Sequence, residues 1–323
     1  MKAIRFSKTG GPEVLALEDV DLPPPAPGQV RVRHTAIGVN FIDTYQRSGL
    51  YPVSLPSGLG LEGAGVVDAL GEGVATLRIG DRVAYCTGPL GAYAESNNVP
   101  ADRVVKLPPG IGDEIAAASL LKGMTAQYLL KRTYAVRPGE TILFHAAAGG
   151  VGLIACQWAK HLGATVIGTV GSDDKMALAR ANGCTHVLNT RTEEWSKRVR
   201  EITGGNGVPV VYDGIGKDTF AGSLDCLAVR GTLVSFGNAS GAVPAFEPGI
   251  LSARGSLYLT RPTLFHYTRT AKELQETADD LFKVIQSGAV RIAINQRFPL
   301  AQAREAHEAL HARTTTGATI LVP

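Results

Sequence analysis

A run of small residues, HAAAGGVGLIACQWAK at positions 145–160, has the spacing of a dinucleotide-binding loop. Ala147, Gly149 and Gly152 occupy the three slots of a G-x-G-x-x-G fingerprint, with alanine in the first slot. Gly149 lets the backbone approach a pyrophosphate, and Gly152 lets the following helix pack closely on the preceding strand. The phosphates then lie at the positive end of that helix. The alternative is a glycine-rich turn that binds no ligand.

The next strand end indicates which dinucleotide is bound. An NAD enzyme usually places Asp or Glu about 20 residues after the loop, where it accepts hydrogen bonds from the ribose hydroxyls. Here the run 164–169 continues into residues 170–172 with no acid at its end. Ser172, Lys175 and Arg191 offer a hydroxyl and two cations, which suit a 2′-phosphate. Two neighbouring aspartates weaken the positive field, and Ser172 is equally suited to capping a helix. The pattern favours NADPH over NADH.

The elements around this loop predict an α/β fold. Short β-rich runs recur about every 20–25 residues with helix-like stretches between them, which predicts a doubly wound parallel Rossmann sheet. The runs are 141–145, 164–169, 185–188, 208–213, 232–236 and 256–260. An apolar stripe from Val151 to Leu162 predicts a first helix that Gly163 ends. A second helix is predicted from Ser172 to Gly183.

The flanks have a different pattern. Residues 1–124 contain short apolar runs broken by Pro and Gly, which is typical of β structure. Thr270 and Glu273 form a capping box for a helix that runs to about Gly288. A strand at 290–298, a helix at 301–312 and a strand at 318–322 complete the tail. The predicted domains are therefore 1–124 with 263–323, and an inserted nucleotide domain at 125–262.

Composition excludes several other classes of protein. The 323 residues carry a net charge of +3, with no basic run interleaved with aromatics, so charge does not indicate a nucleic-acid surface. No apolar run approaches the roughly 18 residues of a membrane span. The four cysteines lie far apart, which argues against a zinc ribbon or a disulfide framework and favours the reducing cytoplasm.

Longer motifs resemble a known family. The runs GVNFIDTYQRSGLYP (38–52), LPSGLGLEGAGVV (55–67), HAAAGGVG (145–152) and SFGN (235–238) are similar to the zeta-crystallin-like NADPH:quinone oxidoreductases. These belong to the medium-chain dehydrogenase/reductases, and the resemblance extends to the ARTTTGATILVP tail. It implies a GroES-like catalytic domain around the Rossmann domain, a homodimer, and NADPH as cofactor.

Zinc-dependent members of that superfamily differ at the metal site. They hold their catalytic zinc with a cysteine where this sequence has Asn40, and with a histidine where it has Leu61. Neither residue type is a good zinc ligand. The structural zinc lobe would need four close cysteines, and only Cys86 is present in that region. The sequence therefore predicts an enzyme without a metal.

The resemblance also implies roles for matched positions. Around the nicotinamide and substrate it implies Asn40, Ile42, Tyr45 and Thr125, and Arg313 would close over the cofactor. On the rest of the cofactor it implies Gly149, Gly150, Val151, Gly171, Ser172, Lys175, Arg191, Phe236 and Gly237. Thr190 departs from the family's tyrosine, which would stack near adenine, and this puts that contact in doubt.

Reduction of a quinone needs no Lewis acid, because hydride addition yields an aromatic phenolate. The candidate substrate pocket comprises Asn40, Asp43, Tyr45 and Tyr51, with no general acid assigned, since solvent can supply the proton. Asp43 is suited either to relaying a proton or to capping a helix, and both tyrosines either to substrate contact or to packing. The predicted function is reduction of a quinone by NADPH. The alternatives are an alkenal or enone reductase, and a catalytically silent NADPH-binding protein.

Overall fold

A computed structural model describes all residues from Met1 to Pro323. The chain forms two compact units. The first contains Met1–Met124, Thr268–Gln286 and Ile292–Pro323, and the second contains Thr125–Tyr267 and Ser287–Arg291. Compared with the predicted division, residues 263–267 and 287–291 are grouped with the second unit.

Strands and helices are numbered here in chain order. The strands are β1 (Lys2–Phe6), β2 (Ala16–Asp19), β3 (Gln29–Val39), β4 (Ser57–Gly58), β5 (Glu62–Leu70), β6 (Arg82–Tyr85), β7 (Ser96–Pro100), β8 (Val104–Lys106), β9 (Thr141–Phe144), β10 (Thr165–Val170), β11 (His186–Asn189), β12 (Val208–Asp213), β13 (Leu227–Ser235), β14 (Tyr258–Thr260), β15 (Ile294–Pro299) and β16 (Ala318–Val322). The helices are α1 (Phe41–Ser48), α2 (Asp113–Tyr128), α3 (Gly150–His161), α4 (Met176–Ala181), α5 (Trp195–Ile202), α6 (Phe220–Asp225), α7 (Gly249–Ala253), α8 (Leu264–Tyr267), α9 (Ala271–Gln286) and α10 (Ala303–His311).

The first unit is built on β-sheets, as its Pro- and Gly-rich sequence predicts. Seven strands form one sheet in the order β15-β16-β3-β5-β6-β8, with β7 also pairing with β3, and β2-β1-β4 form a second sheet. Alternate residues of β3, including Val30 and Val32, are fully buried in a core shared with α10. The half-buried alternation is typical of antiparallel strands with one face on a core.

The second unit confirms the predicted parallel sheet. All six β-rich runs form strands, in the order β11-β10-β9-β12-β13-β14, and every pair is parallel. Strand β9 has β10 on one side and β12 on the other, so the direction of strand order reverses there. In such sheets ligands bind outside the carboxyl ends of the strands at this reversal.

The helices around this sheet follow the predictions with one correction. Helix α3 ends before Gly163, whose φ is +86°. The helix predicted from Ser172 to Gly183 is present but begins with a 3-10 turn at Asp173–Lys175, which directly precedes the short α4. Ser172 makes no side-chain capping bond. The Asp173 side chain in this turn bonds to the neighbouring strand end instead of to the helix backbone.

The tail agrees closely with the sequence pattern. Thr270 Oγ1 accepts the Glu273 N–H at 3.1 Å and Glu273 Oε2 accepts the Thr270 N–H at 3.1 Å, which is the predicted capping box of α9. The last strand, β16, coincides with the predicted 318–322. None of the helices combines the length and apolar character that crossing a membrane requires.

Candidate active site

Ten of the predicted cofactor-binding residues lie in the second unit where strands of its sheet end. Each group directly follows the carboxyl end of a parallel strand. Gly149, Gly150 and Val151 follow β9, Gly171, Ser172 and Lys175 follow β10, Thr190 and Arg191 follow β11, and Phe236 and Gly237 follow β13. Because parallel strands end at the same edge, the topology gathers residues almost ninety positions apart onto one face.

The turn after β9 is shaped for an anion. Ala146 has a φ of +53°, and the Ala147 N–H donates to Thr169 O at 2.9 Å. Gly149 is the N-cap of α3 and, having no side chain, leaves the first turn without a side-chain cap. The N–H groups of a helix's first turn lack partners within the helix, so this end has the donors that an anion requires.

Gly152 is needed for the turn to approach the helix. A Cβ at this position would lie 2.2 Å from Ala146 O and 2.8 Å from Ala147 Cα. Both contacts are to backbone, which cannot rotate away. A Cβ at Gly149 would meet Ala146 O at 3.2 Å, a tight but milder contact. Close packing at Gly152 therefore agrees with the role that its spacing predicts.

The ends of β10 and β11 are joined by hydrogen bonds. Val170 pairs with Asn189 in the sheet register, and Val170 O accepts the Thr190 N–H at 3.0 Å. Beyond them, Asn189 Nδ2 donates to Asp173 Oδ1 at 2.8 Å. The loop that carries Ser172 and the loop that carries Arg191 are therefore directly connected.

In the first unit, α1 has an inverted distribution of polarity. Its buried residues are Asp43, Gln46 and Arg47, whereas Phe41 is 38% exposed. Tyr45 is half-buried, and its ring centroid lies 6.4 Å from that of Phe41 and 5.2 Å from that of Tyr51. A surface helix normally buries its apolar face. Here the aromatic side chains form a cluster on the outer face instead.

A chain of buried hydrogen bonds holds the polar face of α1 inside. Arg47 Nη1 donates to His307 Nδ1 at 3.0 Å, and since a guanidinium only donates, Nδ1 is the acceptor. Burial, and secondarily the charge of Arg47, lowers the pKa of His307 to about 3, so the imidazole is neutral and carries its proton on Nε2. That N–H donates to Tyr93 Oη at 3.0 Å. The Tyr93 hydroxyl in turn donates to Asp43 Oδ2 at 2.9 Å.

Asp43, in the first turn of α1, is the last acceptor of this chain of hydrogen bonds. Its Oδ2 also accepts the Asn40 N–H at 2.8 Å, while Oδ1 is buried without a hydrogen-bond partner. Burial raises the pKa of Asp43 to about 7, because desolvation of the charged carboxylate outweighs these hydrogen bonds. Asp43 thus makes the helix-capping contact that was one of its two predicted roles, and proton transfer by this residue stays a prediction.

Asn40 is fixed by a buried ion pair. Its Nδ2 donates to Glu62 Oε2 at 2.8 Å, and Lys122 Nζ lies 3.4 Å from the same oxygen. The other carboxylate oxygen of Glu62 accepts the Leu121 N–H at 2.7 Å. Glu62 is fully buried, so the amide of Asn40 cannot leave this partner without exposing a charge to an apolar interior.

Two further histidines, His34 and His145, also have buried partners. His34 contacts Ala94 O at 2.7 Å and Tyr85 Oη at 2.9 Å, and burial lowers its pKa to about 4. His145 lies between Thr169 Oγ1 at 2.8 Å and Ser223 Oγ at 3.0 Å. Both ring nitrogens of each histidine therefore take part in internal hydrogen bonds.

Comparison with known proteins identifies the family. A model described as zinc-binding dehydrogenase matches residues 150–284, and one described as alcohol dehydrogenase GroES-like domain matches residues 26–109. A quinone oxidoreductase of Pseudomonas aeruginosa is 58% identical over 100% of this chain and 99% of its own. The chain belongs to the quinone oxidoreductase family of the medium-chain dehydrogenase/reductases. A crystal structure of Escherichia coli quinone oxidoreductase complexed with NADPH matches at 52% identity with a TM-score of 0.99, over 100% of both chains.

A further relative in this family acts on a different class of compound, by its name. The 2-haloacrylate reductase of Burkholderia sp is 47% identical over 98% of this chain and 97% of its own. Membership therefore sets the fold and the cofactor-binding architecture more tightly than the substrate.

The residues present fit a dinucleotide. The uncapped N-terminus of α3 supplies backbone donors, Gly152 admits the close turn, and Gly171 has no atom within 4 Å of where a Cβ would lie. A metal ion fits less well. No group of three or more His, Cys, Asp or Glu side chains is arranged to bind one. Leu61 is buried, and the Asn40 amide is bonded to Glu62.

Two predicted cofactor residues lie away from these clusters in the chain. Thr125 is buried within α2 and belongs to the second unit. Arg313 follows α10 in the first unit, is exposed, and has a φ of +59°. Their contacts with a cofactor remain predictions.

Sequence reasoning missed several residues that organise the site. Tyr93 and His307 lie 214 positions apart, and no spacing in the sequence connects them. Phe41 stands within the FIDTY run and was recognisable as a third aromatic beside Tyr45 and Tyr51. Glu62 and Asn189 look like ordinary strand residues in the sequence, and only their partners reveal their roles.

Proposed function

We propose that this protein is an NADPH-dependent quinone reductase that works without a metal ion. The observation that carries the proposal is the inverted helix α1, whose Phe41 and Tyr45 form a connected aromatic cluster with Tyr51, which lies just after the helix. A flat quinone ring stacks favourably on such rings, with centroids about 4.5–7 Å apart. Family membership and the dinucleotide-shaped turn of α3 support the same reaction.

We assign the cofactor contacts of the second unit as follows. The N–H groups of Gly149, Gly150 and Val151 bind the pyrophosphate. Ser172, Lys175 and Arg191 bind the 2′-phosphate, and Gly171 leaves room beside them. Phe236 and Gly237 contact the nicotinamide ribose, while Thr190 replaces the family's tyrosine beside adenine. NADPH is also the ligand in the crystal structure of the E. coli relative.

In the first unit we assign Asn40, Ile42 and Tyr45 to the nicotinamide end and Tyr51 to the substrate, with Arg313 closing over the cofactor. When bound, NADPH supplies a hydride from nicotinamide C4. The work of the chain is then orientation and exclusion of water. Glu62 and Lys122 fix the Asn40 amide, and the aromatic cluster orients the quinone. Solvent provides the proton that completes the hydroquinone.

Metal-free chemistry is supported by the residues at the positions that hold zinc in related dehydrogenases. An amide bonded to a carboxylate and a buried leucine offer no ligand set for zinc. Elemental analysis of the purified protein tests this proposal. We expect zinc far below one atom per chain, and stoichiometric zinc overturns it.

Steady-state kinetics test the function itself. We expect rapid oxidation of NADPH with 1,4-benzoquinone and much slower oxidation of NADH with the same acceptor. An alkenal serves as the competing acceptor under identical conditions. Negligible turnover of the quinone beside fast reduction of the alkenal refutes the proposal in favour of an enone reductase.

That second function is favoured by one specific observation, the 47% identity with a 2-haloacrylate reductase. A haloacrylate and an enone both present a polarised C=C–C=O system to the hydride donor. The aromatic cluster favours the quinone, because a small acyclic substrate gains little from stacking.

We also propose a cytoplasmic homodimer. The four cysteines are all buried free thiols, which suits a reducing compartment. Strand β14 pairs only with β13 and leaves Tyr258 60% exposed, so its free edge can pair with a second copy across a two-fold axis.

A further inference from the structure

Asn189 connects the two loops that carry the candidate phosphate ligands. It is the last residue of β11 and is only 3% exposed. Its Nδ2 donates to Asp173 Oδ1 at 2.8 Å, in the loop after β10. Its Oδ1 accepts the Arg191 N–H at 3.0 Å, in the loop after β11. One buried amide therefore uses both of its ends to connect these loops.

The contact with Asp173 bears directly on Ser172 and Lys175. Asp173 opens the 3-10 turn that ends at Lys175, and Ser172 O accepts the Lys175 N–H at 3.3 Å. Ser172 makes no side-chain capping bond, and the bond between Asp173 and Asn189 links the turn to the end of β11.

Asn189 also engages two acidic groups of this region. The Asp173 carboxylate accepts from its side chain, and Glu193 Oε1 accepts the backbone N–H of Asn189 at 2.9 Å. A carboxylate directed at a phosphate would repel it. Asn189 supplies neutral donors to both carboxylates and so fixes where these two negative charges lie.

We propose that Asn189 is a positioning residue for the ribose 2′-phosphate, and so a determinant of the preference for NADPH over NADH. The inference rests on the proposed function, because it requires Ser172, Lys175 and Arg191 to be the phosphate ligands. Asn189 acts through these loops and has no contact with the reacting atoms.

The test compares two probes that differ only in the 2′-phosphate: adenosine 2′,5′-bisphosphate and adenosine 5′-monophosphate. Their dissociation constants are measured by calorimetry on the full-length protein. In Asn189→Ala we expect about tenfold weaker binding of the bisphosphate, which corresponds to the loss of about 1.4 kcal/mol. Binding of the monophosphate stays within about twofold.

Asn189→Asp is the more stringent test, because it replaces a donor with a second carboxylate at 2.8 Å from Asp173 Oδ1. We expect it to weaken the bisphosphate more than Asn189→Ala does. Combining it with Asp173→Asn exchanges amide and carboxylate across the same contact and keeps the net charge. This swapped pair is expected to restore most of the lost affinity, which an unspecific loss of structure would not allow.

Asn182→Ala is the matched control. Asn182 lies at the end of α4 in the same unit, and its Nδ2 donates to Leu178 O at 2.8 Å without connecting the two loops. Its variant is expected to bind both probes like the wild type. If Asn189→Ala does not fold, the swapped pair and its two parent variants carry the test.

The outcomes separate the inference from the function on which it rests. Equal weakening of both probes in Asn189→Ala, or no change in either, overturns the role of Asn189. A swapped pair that binds no better than Asn189→Asp also overturns it. A wild-type protein that binds the bisphosphate no tighter than the monophosphate refutes the proposed phosphate site itself, whatever the variants do.

Discussion

The contribution of Asp43 to the stability of this protein is expected to fall as pH rises. Burial raises the pKa of Asp43 to about 7, and an unfolded aspartate titrates near 3.9. Between these values the folded protein holds a proton that the unfolded chain has released. Since stability rises with pH only where the unfolded state binds more protons, it falls here. The contribution is complete below the unfolded pKa and is lost as pH rises through the folded one.

The magnitude follows from the difference between the two pKa values. Each pH unit between them changes the free energy of unfolding by about 1.4 kcal/mol per proton. From pH 5 to pH 8 the contribution of Asp43 therefore falls by about 3 kcal/mol. The nearby groups are Lys122, which lowers the pKa, Glu62, which raises it, and Tyr93, which donates a hydrogen bond.

Comparing wild type with Asp43→Asn isolates this contribution. The amide oxygen can still accept from Asn40 and Tyr93, while the titration at this position is removed. We expect urea unfolding to show the variant gaining stability relative to wild type by about 3 kcal/mol between pH 5 and pH 8. The Asp43 carboxyl resonance in a ¹³C titration should have its midpoint near pH 7. A midpoint below pH 5, together with a difference independent of pH, refutes the reasoning.

Four further predictions concern the two units separately. Gly152→Ala is expected to lower stability by about 1–3 kcal/mol in thermal unfolding, because its Cβ would lie 2.2 Å from a carbonyl oxygen, whereas Gly249→Ala meets no atom and serves as the control. Lys175→Ala is expected to raise the KM for NADPH about tenfold and leave that for NADH unchanged; unchanged NADPH binding contradicts the role of this lysine. Tyr45→Ala is expected to raise the quinone KM about tenfold, while Tyr45→Phe keeps the ring and most of the affinity; equal effects of both variants argue against stacking. Tyr258→Lys is expected to shift the light-scattering mass from two chains towards one, because a charge on an edge strand opposes pairing, and a wild-type mass of one chain contradicts the dimer.

Much of the second unit was predictable because its determinants are local. Its determinants are the six β-rich runs, the apolar stripe of α3 and the small residues of the loop. Each of them acts through residues that are close in the sequence. The carboxyl ends of parallel strands lie at one edge of a sheet. The predicted parallel sheet was therefore enough to group the candidate cofactor residues that follow its strands. At Ser172 the predicted side-chain cap is absent, and the Asp173 side chain beside it bonds to Asn189 on the neighbouring strand, a contact that the sequence does not indicate.

The first unit was less predictable, because its site depends on distant contacts. The motifs identified Asn40, Asp43, Tyr45 and Tyr51 as a group, since they lie within twelve positions of one another. Nothing in that run indicates that α1 would bury its polar face. In that orientation Asp43 needs a hydrogen-bond donor, which Tyr93 supplies, and Arg47 needs an acceptor, which His307 supplies.

By itself, then, the sequence determined the β-rich unit, the parallel sheet and the glycine-rich turn after β9, because periodicity and glycine placement are local properties. It also determined that Asn40 and Leu61 are not zinc ligands, because that depends on residue type alone. Tertiary structure alone decided which polar groups are paired. The neutral His307, the raised pKa of Asp43 and the engagement of Asp173 by Asn189 all arise from hydrogen bonds and desolvation between segments distant in the chain. Burial makes each of these pairings strong, because an unpaired polar group in the interior costs about 1–3 kcal/mol.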